Sequence, residues 1–300
     1  MKVLVAARIS KEGVEKLKEK HEVETAYDLS ESELIERIQT CDAVVVRSKP
    51  KITRKVIEAG ERLKVVGRAG VGLDNIDLEA AKENGVKVVN SPTASSESVA
   101  ELVFALSLSL VRGISRADSS LRDKKWIKKE LKGTELYEKA MGIIGYGRIG
   151  AHVAKIAGGF GMDCMAYDVV KNEELAEKYN VAYKELDEVL KESDVITVHV
   201  PLISQTKHMI GEEEFKKMKN SAVLVNAARG GVVDEKALYD ALKTEEIRGA
   251  ALDVYETEPP YDSPLLKLKN IVFSQHLGAN TYEAQRKNGT IIAERIIEEL

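Results

Sequence analysis

Residues 141–150 read Met141-Gly142-Ile143-Ile144-Gly145-Tyr146-Gly147-Arg148-Ile149-Gly150. An uncharged run suited to a buried strand enters three glycines spaced G-x-G-x-x-G, and residues 149–157 continue at helical spacing. That spacing alone is a weak signal, because glycine is common. Between a strand and a helix it becomes informative, since a dinucleotide pyrophosphate needs this order. Gly145 permits the tight turn, Gly147 lets the backbone approach a pyrophosphate, and Gly150 lets the helix pack on the strand. Free N–H groups at the helix start would face the phosphates. The next strand ends in Tyr167-Asp168, with Asp168 18 residues beyond Gly150. An acidic side chain there accepts hydrogen bonds from ribose hydroxyls and repels a 2′-phosphate, so NAD is expected over NADP.

The same alternation extends outward in both directions. Candidate strands follow the turn at 163–167, 195–198, 222–225, 249–252 and 271–273. Others precede it at 3–6, 22–26, 43–46, 64–66 and 87–89, with amphipathic segments such as 11–20, 31–39 and 78–84 between them. Strand–helix alternation predicts parallel, doubly wound sheets with helices on both faces. The near-continuous apolar runs suit strands buried on both sides. A loop opens at 90–92, and Ser95, Ser96 and Glu97 supply capping chemistry for a long apolar helix over about 97–115. Residues 116–139 read as charged and irregular around the only tryptophan, Trp126. A last helix over about 281–300 closes the chain. The expected fold class is α/β, with two doubly wound parallel-sheet domains and the dinucleotide signature in the second.

The length of 300 residues agrees with about two domains of ordinary size. Apolar residues make up 44% and charged residues 31%, a globular composition. A net charge of −4 with mixed signs leaves no electrostatic footprint for nucleic acid or an anionic membrane. No uninterrupted apolar run approaches the ~18 residues of a membrane span. The start lacks the layout of a signal peptide and reads as a first strand, so a cytoplasmic location is expected. Cys41 and Cys164 are expected to be small buried hydrophobes in a reducing compartment, and no cysteine or histidine cluster suggests a metal. Lys and Glu are abundant and Gln occurs four times, a bias known from heat-adapted proteins.

Three late segments follow strands: Asn226-Ala227-Ala228-Arg229-Gly230-Gly231, Leu252-Asp253-Val254-Tyr255-Glu256-Thr257-Glu258-Pro259 and His276-Leu277-Gly278-Ala279. Ligands of open α/β sheets bind at the carboxyl ends of strands. Hydride transfer at a carbon bearing oxygen obliges that oxygen to lose or gain a proton, which asks for a proton carrier such as His276. A carboxylate beside the ring would favour imidazolium and fix its orientation, and Glu258 fits. A substrate carboxylate and a polarised carbonyl want a planar, permanently charged fork, and Arg229 fits. Each residue taken singly has an ordinary role as loop carboxylate, surface ion-pair partner or structural histidine. Their order behind the nucleotide turn is what points to chemistry.

These segments resemble those of the D-isomer-specific 2-hydroxyacid dehydrogenases, and the resemblance runs over essentially all 300 residues. It includes Gly67-Arg68-Ala69-Gly70-Val71-Gly72-Leu73-Asp74-Asn75-Ile76-Asp77 and Ser98-Val99-Ala100-Glu101. It implies a Rossmann-type nucleotide domain over 96–278, inserted into a flavodoxin-like substrate domain built from 1–95 and 279–300. Arg229, Glu258 and His276 become the implied catalytic group. NAD would be lined by Gly145, Gly147, Arg148, Ile149, Gly150, Asp168, Pro201, Ala227, Ala228, Asp253, Gly278 and Ala279, with Asp253 near the nicotinamide amide. On the substrate side, the backbone of Gly70, Val71 and Gly72 would hold a carboxylate, with Asn75 in the same segment.

The stretch 67–75 and Arg47-Ser48 look like the branch of the family that acts on a phosphorylated three-carbon acid, with Arg47 and Arg68 reaching the phosphate. A small-molecule 2-hydroxy acid is thus the implied substrate. A homodimer through residues 116–139 of the nucleotide domain is the implied partner, with no nucleic acid and no membrane. A hydroxypyruvate or glyoxylate reductase, and an NADH-sensing binding protein, remain as alternatives. Departures from the family pattern are Gln275 where proline is frequent, Glu138-Lys139 in place of a Gly-Lys pair, Ser95 where asparagine is common, and Gly158-Gly159. None removes a chemical group. The chain is expected to end at its closing helix without a regulatory domain.

Overall fold

The computed structural model describes residues 1–300 as two compact units, Met1–Ser95 with Ala279–Leu300, and Ser96–Gly278. The first unit begins β1 (Lys2–Val5), α1 (Lys11–Lys18), β2 (Glu22–Thr25), α2 (Glu31–Ile38) and β3 (Ala43–Val46). It continues α3 (Arg54–Ala59), β4 (Val65–Arg68), α4 (Leu78–Glu83) and β5 (Lys87–Asn90). All five strands are parallel, in the order β2-β1-β3-β4-β5. That order is flavodoxin-like. Burial follows position. Central β3 reads AVVV and is buried throughout, whereas edge strand β2 reads EVET and exposes Glu22 and Thr25. Local signals start the helices: Ser30 and Glu33 form a capping box on α2, and Asp77 accepts the N–H of Ala80 on α4. The closing helix, Tyr282–Glu299, packs on α1, β4 and β5, so the chain returns to the unit in which it started.

The second unit opens with α5 (Ser96–Val111) and α6 (Ile114–Arg122). Then come β6 (Ala140–Ile144), α7 (Arg148–Gly159), β7 (Asp163–Tyr167), α8 (Glu173–Lys178), β8 (Val181–Tyr183) and α9 (Leu186–Glu192). The series ends β9 (Val195–Val198), α10 (Glu212–Lys217), β10 (Val223–Asn226), α11 (Glu235–Lys243), β11 (Gly249–Leu252) and β12 (Ile271–Phe273). Seven parallel strands run in the order β12-β11-β10-β9-β6-β7-β8. The winding direction reverses between β6 and β9, and ligands of such sheets bind at that switch point. One apolar cluster joins α5 and α7 to one face of the sheet, and a second joins α9, α10 and α11 to the other. The α/β expectation of two doubly wound parallel sheets holds.

Three local expectations need correction. The long apolar helix ends at Val111, not near residue 115, because Gly113 adopts φ +63°, the left-handed conformation that stops a helix. The stretch read as irregular therefore begins with a helix of its own, α6, which buries none of its residues. Strand β8, whose apolar run Val181-Ala182-Tyr183 is only three residues long, is absent from the expected strands and is held by pairing with β7. Of the two cysteines, Cys41 is buried but Cys164 is only half-buried. No single helix is long and apolar enough to cross a membrane.

Candidate active site

The three glycines of the nucleotide turn meet different demands. A Cβ on Gly145, which sits at φ +95°, would lie 2.7 Å from the carbonyl carbon of His199. One on Gly150 would lie 2.6 Å from the Gly145 oxygen. Around Gly147 nothing stands within 4 Å, and this residue caps α7. Two glycines thus let the turn close on itself and the third leaves an open cradle at a helix N-terminus, the shape a pyrophosphate requires. Arg148 and Ile149 begin the helix directly above it.

Asp168 is braced. Its Oδ2 accepts the backbone N–H of Tyr146 at 2.7 Å, and its Oδ1 that of Val170 at 2.9 Å. Tyr146 is itself buried, donates its hydroxyl to the Leu175 carbonyl at 3.0 Å and meets Tyr183 edge-on at 5.7 Å. Burial holds its phenol well above the usual range. The turn, the acidic strand end and α8 therefore form one piece, which the glycine pattern alone does not reveal. Pro201 stands exposed beyond β9, after His199. Burial pushes His199 down to about 3, so its ring is neutral in ordinary buffers and unsuited to proton transfer near pH 7.

Strands β10, β11 and β12 are neighbours with Asn226, Leu252 and Phe273 in register, so the loops that follow them stand side by side. These loops carry Arg229, Glu258 and His276. The His276 Nδ1 lies 3.0 and 3.1 Å from the two Glu258 carboxylate oxygens. Both side chains stay reachable, at 47% and 41% exposure. Arg229 donates Nη1 to the Ala228 carbonyl at 2.7 Å. Asn226 shapes this loop, accepting the Ala228 N–H at 3.1 Å and donating to the Arg229 carbonyl at 3.0 Å. A Cβ on Gly230 would strike the Tyr255 oxygen at 1.8 Å, so the Arg229 loop lies flush against the Glu258 loop.

Asp253 is almost completely buried, at 1% exposure. Its Oδ1 accepts from the Ser274 hydroxyl at 2.6 Å and the Leu277 N–H at 2.7 Å, and its Oδ2 from the Gly278 N–H at 2.9 Å. Its carboxylate therefore ties the loop that carries Glu258 to the loop that carries His276. The Gly278 carbonyl accepts from Ser98 at 2.7 Å, fixing the far side of the histidine loop to α5. Ala227 and Ala228 are buried between these elements.

The remaining residues singled out from sequence lie in the first unit. Arg68 ends β4 opposite Val46 of β3, and Arg47 is the next residue after Val46, so both stand at the carboxyl ends of adjacent strands. The Arg68 guanidinium crosses Gly70, where a Cβ would meet Nη1 at 1.6 Å. Burial alone lowers the Arg47 guanidinium from its usual value, with no carboxylate opposing that effect. Asn75 acts as a brace, donating to the carbonyls of Arg47 at 2.9 Å and Pro50 at 3.1 Å. Val71 is partly exposed, and its carbonyl accepts from Asn90 at 2.6 Å.

Residues 104–278 match the family described as D-isomer specific 2-hydroxyacid dehydrogenase, NAD binding domain. The chain is 51% identical over 297 residues to a D-3-phosphoglycerate dehydrogenase of Methanocaldococcus jannaschii, covering 99% of this chain and 57% of that protein. The chain thus spans little more than half the length of that relative. It is 48% identical to a hydroxypyruvate reductase of Thermotoga maritima, covering 97% of this chain and 96% of that one. A D-lactate dehydrogenase from Aquifex aeolicus, solved with NAD and lactic acid, superposes with a TM-score of 0.86 at 31% identity, covering 99% and 94% of the two chains. NAD is the cofactor of this kind of nucleotide domain, and the open cradle at Gly147 fits it. From the paired sheets, the glycine turn and these likenesses together, the chain belongs to the D-isomer-specific 2-hydroxyacid dehydrogenases.

Proposed function

We propose that the chain oxidises 3-phospho-D-glycerate to 3-phosphohydroxypyruvate with NAD, the entry step of the phosphorylated route to serine. When bound, NAD supplies the hydride acceptor. Because the His276 Nδ1 faces Glu258, Nε2 is the nitrogen left for the substrate, where it takes the proton of the C2 hydroxyl. Glu258 holds the ring and stabilises the imidazolium that forms. Arg229 offers a planar cation to the substrate carboxylate and the developing carbonyl. The backbone of Gly70, Val71 and Gly72 is assigned to the carboxylate, and Arg47 with Arg68 to the phosphate.

Arg47 carries the choice of a phosphorylated substrate. A half-buried guanidinium that no carboxylate compensates is unfavourable by itself and suits an anion brought by a ligand. The Thermotoga relative favours a second reading, reduction of hydroxypyruvate, which needs no phosphate site. Comparing kcat/KM for phosphohydroxypyruvate and hydroxypyruvate with NADH separates the two. The phosphorylated acid should lead by at least roughly tenfold, the worth of one charge-assisted contact. Arg47→Ala or Arg68→Ala should remove most of that lead and leave hydroxypyruvate turnover nearly unchanged. A preference for hydroxypyruvate by the unmodified chain replaces the first reading with the second, and no turnover of any 2-keto acid leaves an NADH-sensing protein.

A homodimer through residues 116–139 belongs to the same proposal. Leu121 and Trp126, at 58% and 79% exposure, leave apolar surface that a second copy would cover. Sedimentation at micromolar concentration should give twice the chain mass, and Trp126→Asp should weaken the association.

A further inference from the structure

Glu235 has no role in the chemistry above, yet its placement is hard to explain as ordinary helix structure. It is the first residue of α11, but the cap of that helix is Asp234, whose Oδ1 accepts from Lys236 at 2.9 Å and Ala237 at 3.0 Å. The Glu235 carboxylate instead points across to the Glu258 loop. Its Oε1 accepts the Glu256 N–H at 2.6 Å, and the Glu235 N–H returns a bond to the Glu256 Oε1 at 3.1 Å. Burial and the neighbouring Glu256 carboxylate oppose its ionisation, and the hydrogen bond from the Glu256 N–H offsets them only in part. The half-buried Glu235 carboxylate thus stands beside the like charge of the exposed Glu256, an arrangement that stability alone disfavours.

The same Glu256 oxygen lies 3.1 Å from the His208 Nε2, and the His208 N–H donates to the Gly231 carbonyl at 2.7 Å. Glu256 is therefore held from two sides. One anchor is the helix that follows the Arg229 loop, and the other is a segment hydrogen-bonded to that loop. Two residues further along stands Glu258, whose Oε1 also accepts the Tyr255 N–H at 3.3 Å. We propose that Glu235 is a positioning residue: by clamping Glu256 to the start of α11, it keeps the Glu258 carboxylate on the His276 ring and in step with Arg229. This rests on the reading of Glu258 and His276 as the acid–base pair.

The test compares Glu235→Ala, Glu235→Gln, Glu258→Gln and the double variant Glu235→Ala/Glu258→Gln in the intact chain. Rates are measured with NADH and phosphohydroxypyruvate, or hydroxypyruvate if that is the better substrate. Hydrogen exchange at the Glu256 amide is followed without cofactor. Glu235→Ala should lower kcat roughly tenfold or more, because small misplacements of reacting groups are expensive, with KM changed less than about twofold. It should also move the pH–rate profile in the same direction as Glu258→Gln and release the Glu256 amide to exchange. Glu235→Gln keeps an acceptor oxygen and should restore most of the rate and the protection. The double variant should be little worse than Glu258→Gln alone, since one residue acts through the other.

Should the alanine variant fail to fold, Glu235→Asp withdraws the oxygen by one methylene and carries the same comparison. A rate loss with an unshifted pH profile, or additive losses in the double variant, overturns the positioning role while the acid–base reading stands. An unshifted profile in Glu258→Gln itself overturns that reading instead.

Discussion

The backbone N–H of His276 donates to the carbonyl of Asp253 at 2.8 Å, although His276 sits at φ +54°, a conformation uncommon for a residue with a side chain. Such a conformation costs on the order of 1 kcal/mol and persists where surrounding contacts impose it. Here the Asp253 carboxylate imposes it, through Ser274, Leu277 and Gly278. Asp253→Asn turns part of that acceptor into a donor facing backbone N–H groups. Stability should fall by about 1–3 kcal/mol and kcat should fall with it. Calorimetry and steady-state rates on one preparation check this, and an asparagine variant of native stability and rate removes Asp253 from the brace.

Glu258 and His276 define the acid–base prediction. His276→Ala should reduce kcat far more than it weakens NADH binding, because the ring acts mainly in the transition state. Glu258→Gln removes a charge that favours imidazolium, so the form able to accept a proton should persist to lower pH. The acidic limb of the oxidation profile should move to lower pH accordingly. NADH fluorescence titration together with pH-dependent rates tests both statements.

Asp168 predicts cofactor choice. Both its oxygens accept backbone N–H groups, which fixes the carboxylate at the carboxyl end of β7, where it would accept ribose hydroxyls and repel a 2′-phosphate. NAD should be preferred to NADP, and Asp168→Ala should narrow the gap from both sides by weakening NAD and admitting NADP. Equal turnover with the two cofactors by the unmodified chain would contradict the assignment.

Acid should destabilise both units through one device repeated at the amino ends of their sheets. Asp42 accepts the Lys2 N–H at 2.8 Å, and Asp194 accepts the Ala140 N–H at 3.0 Å. Burial pushes each carboxyl up, but that N–H and nearby cations outweigh it, so both lie below the usual carboxylate range. A depressed value means stability present above the unfolded value of about 3.9 and lost as pH falls through the folded one. Melting temperature should therefore drop steeply below about pH 4. Asp42→Asn should already be destabilised at pH 7, by about 1–3 kcal/mol, and lose less on acidification. Melting curves from pH 7 to pH 2.5 for both proteins decide it.

What sequence alone determines here is local and periodic. Uncharged runs, helix caps and the turn at Gly145, Gly147 and Gly150 suffice for two doubly wound sheets, because burial on both faces and a missing Cβ are properties of single residues and their neighbours. The end of α5 is not legible in the sequence, because Arg112-Gly113 interrupts an apolar period only through the φ of one glycine. Glu258 and His276 could be selected by residue type, but their meeting at 3.0 Å depends on β11 pairing with β12. The bracing side chains were the least legible. Asp253, Glu235, Tyr146 and Asn75 make their decisive bonds to backbone groups of other segments, and any loop offers such groups. Only the strand order selects which N–H or carbonyl each side chain meets. Tertiary structure therefore decided how the candidate site is held, whereas residue chemistry had already indicated what it could contain.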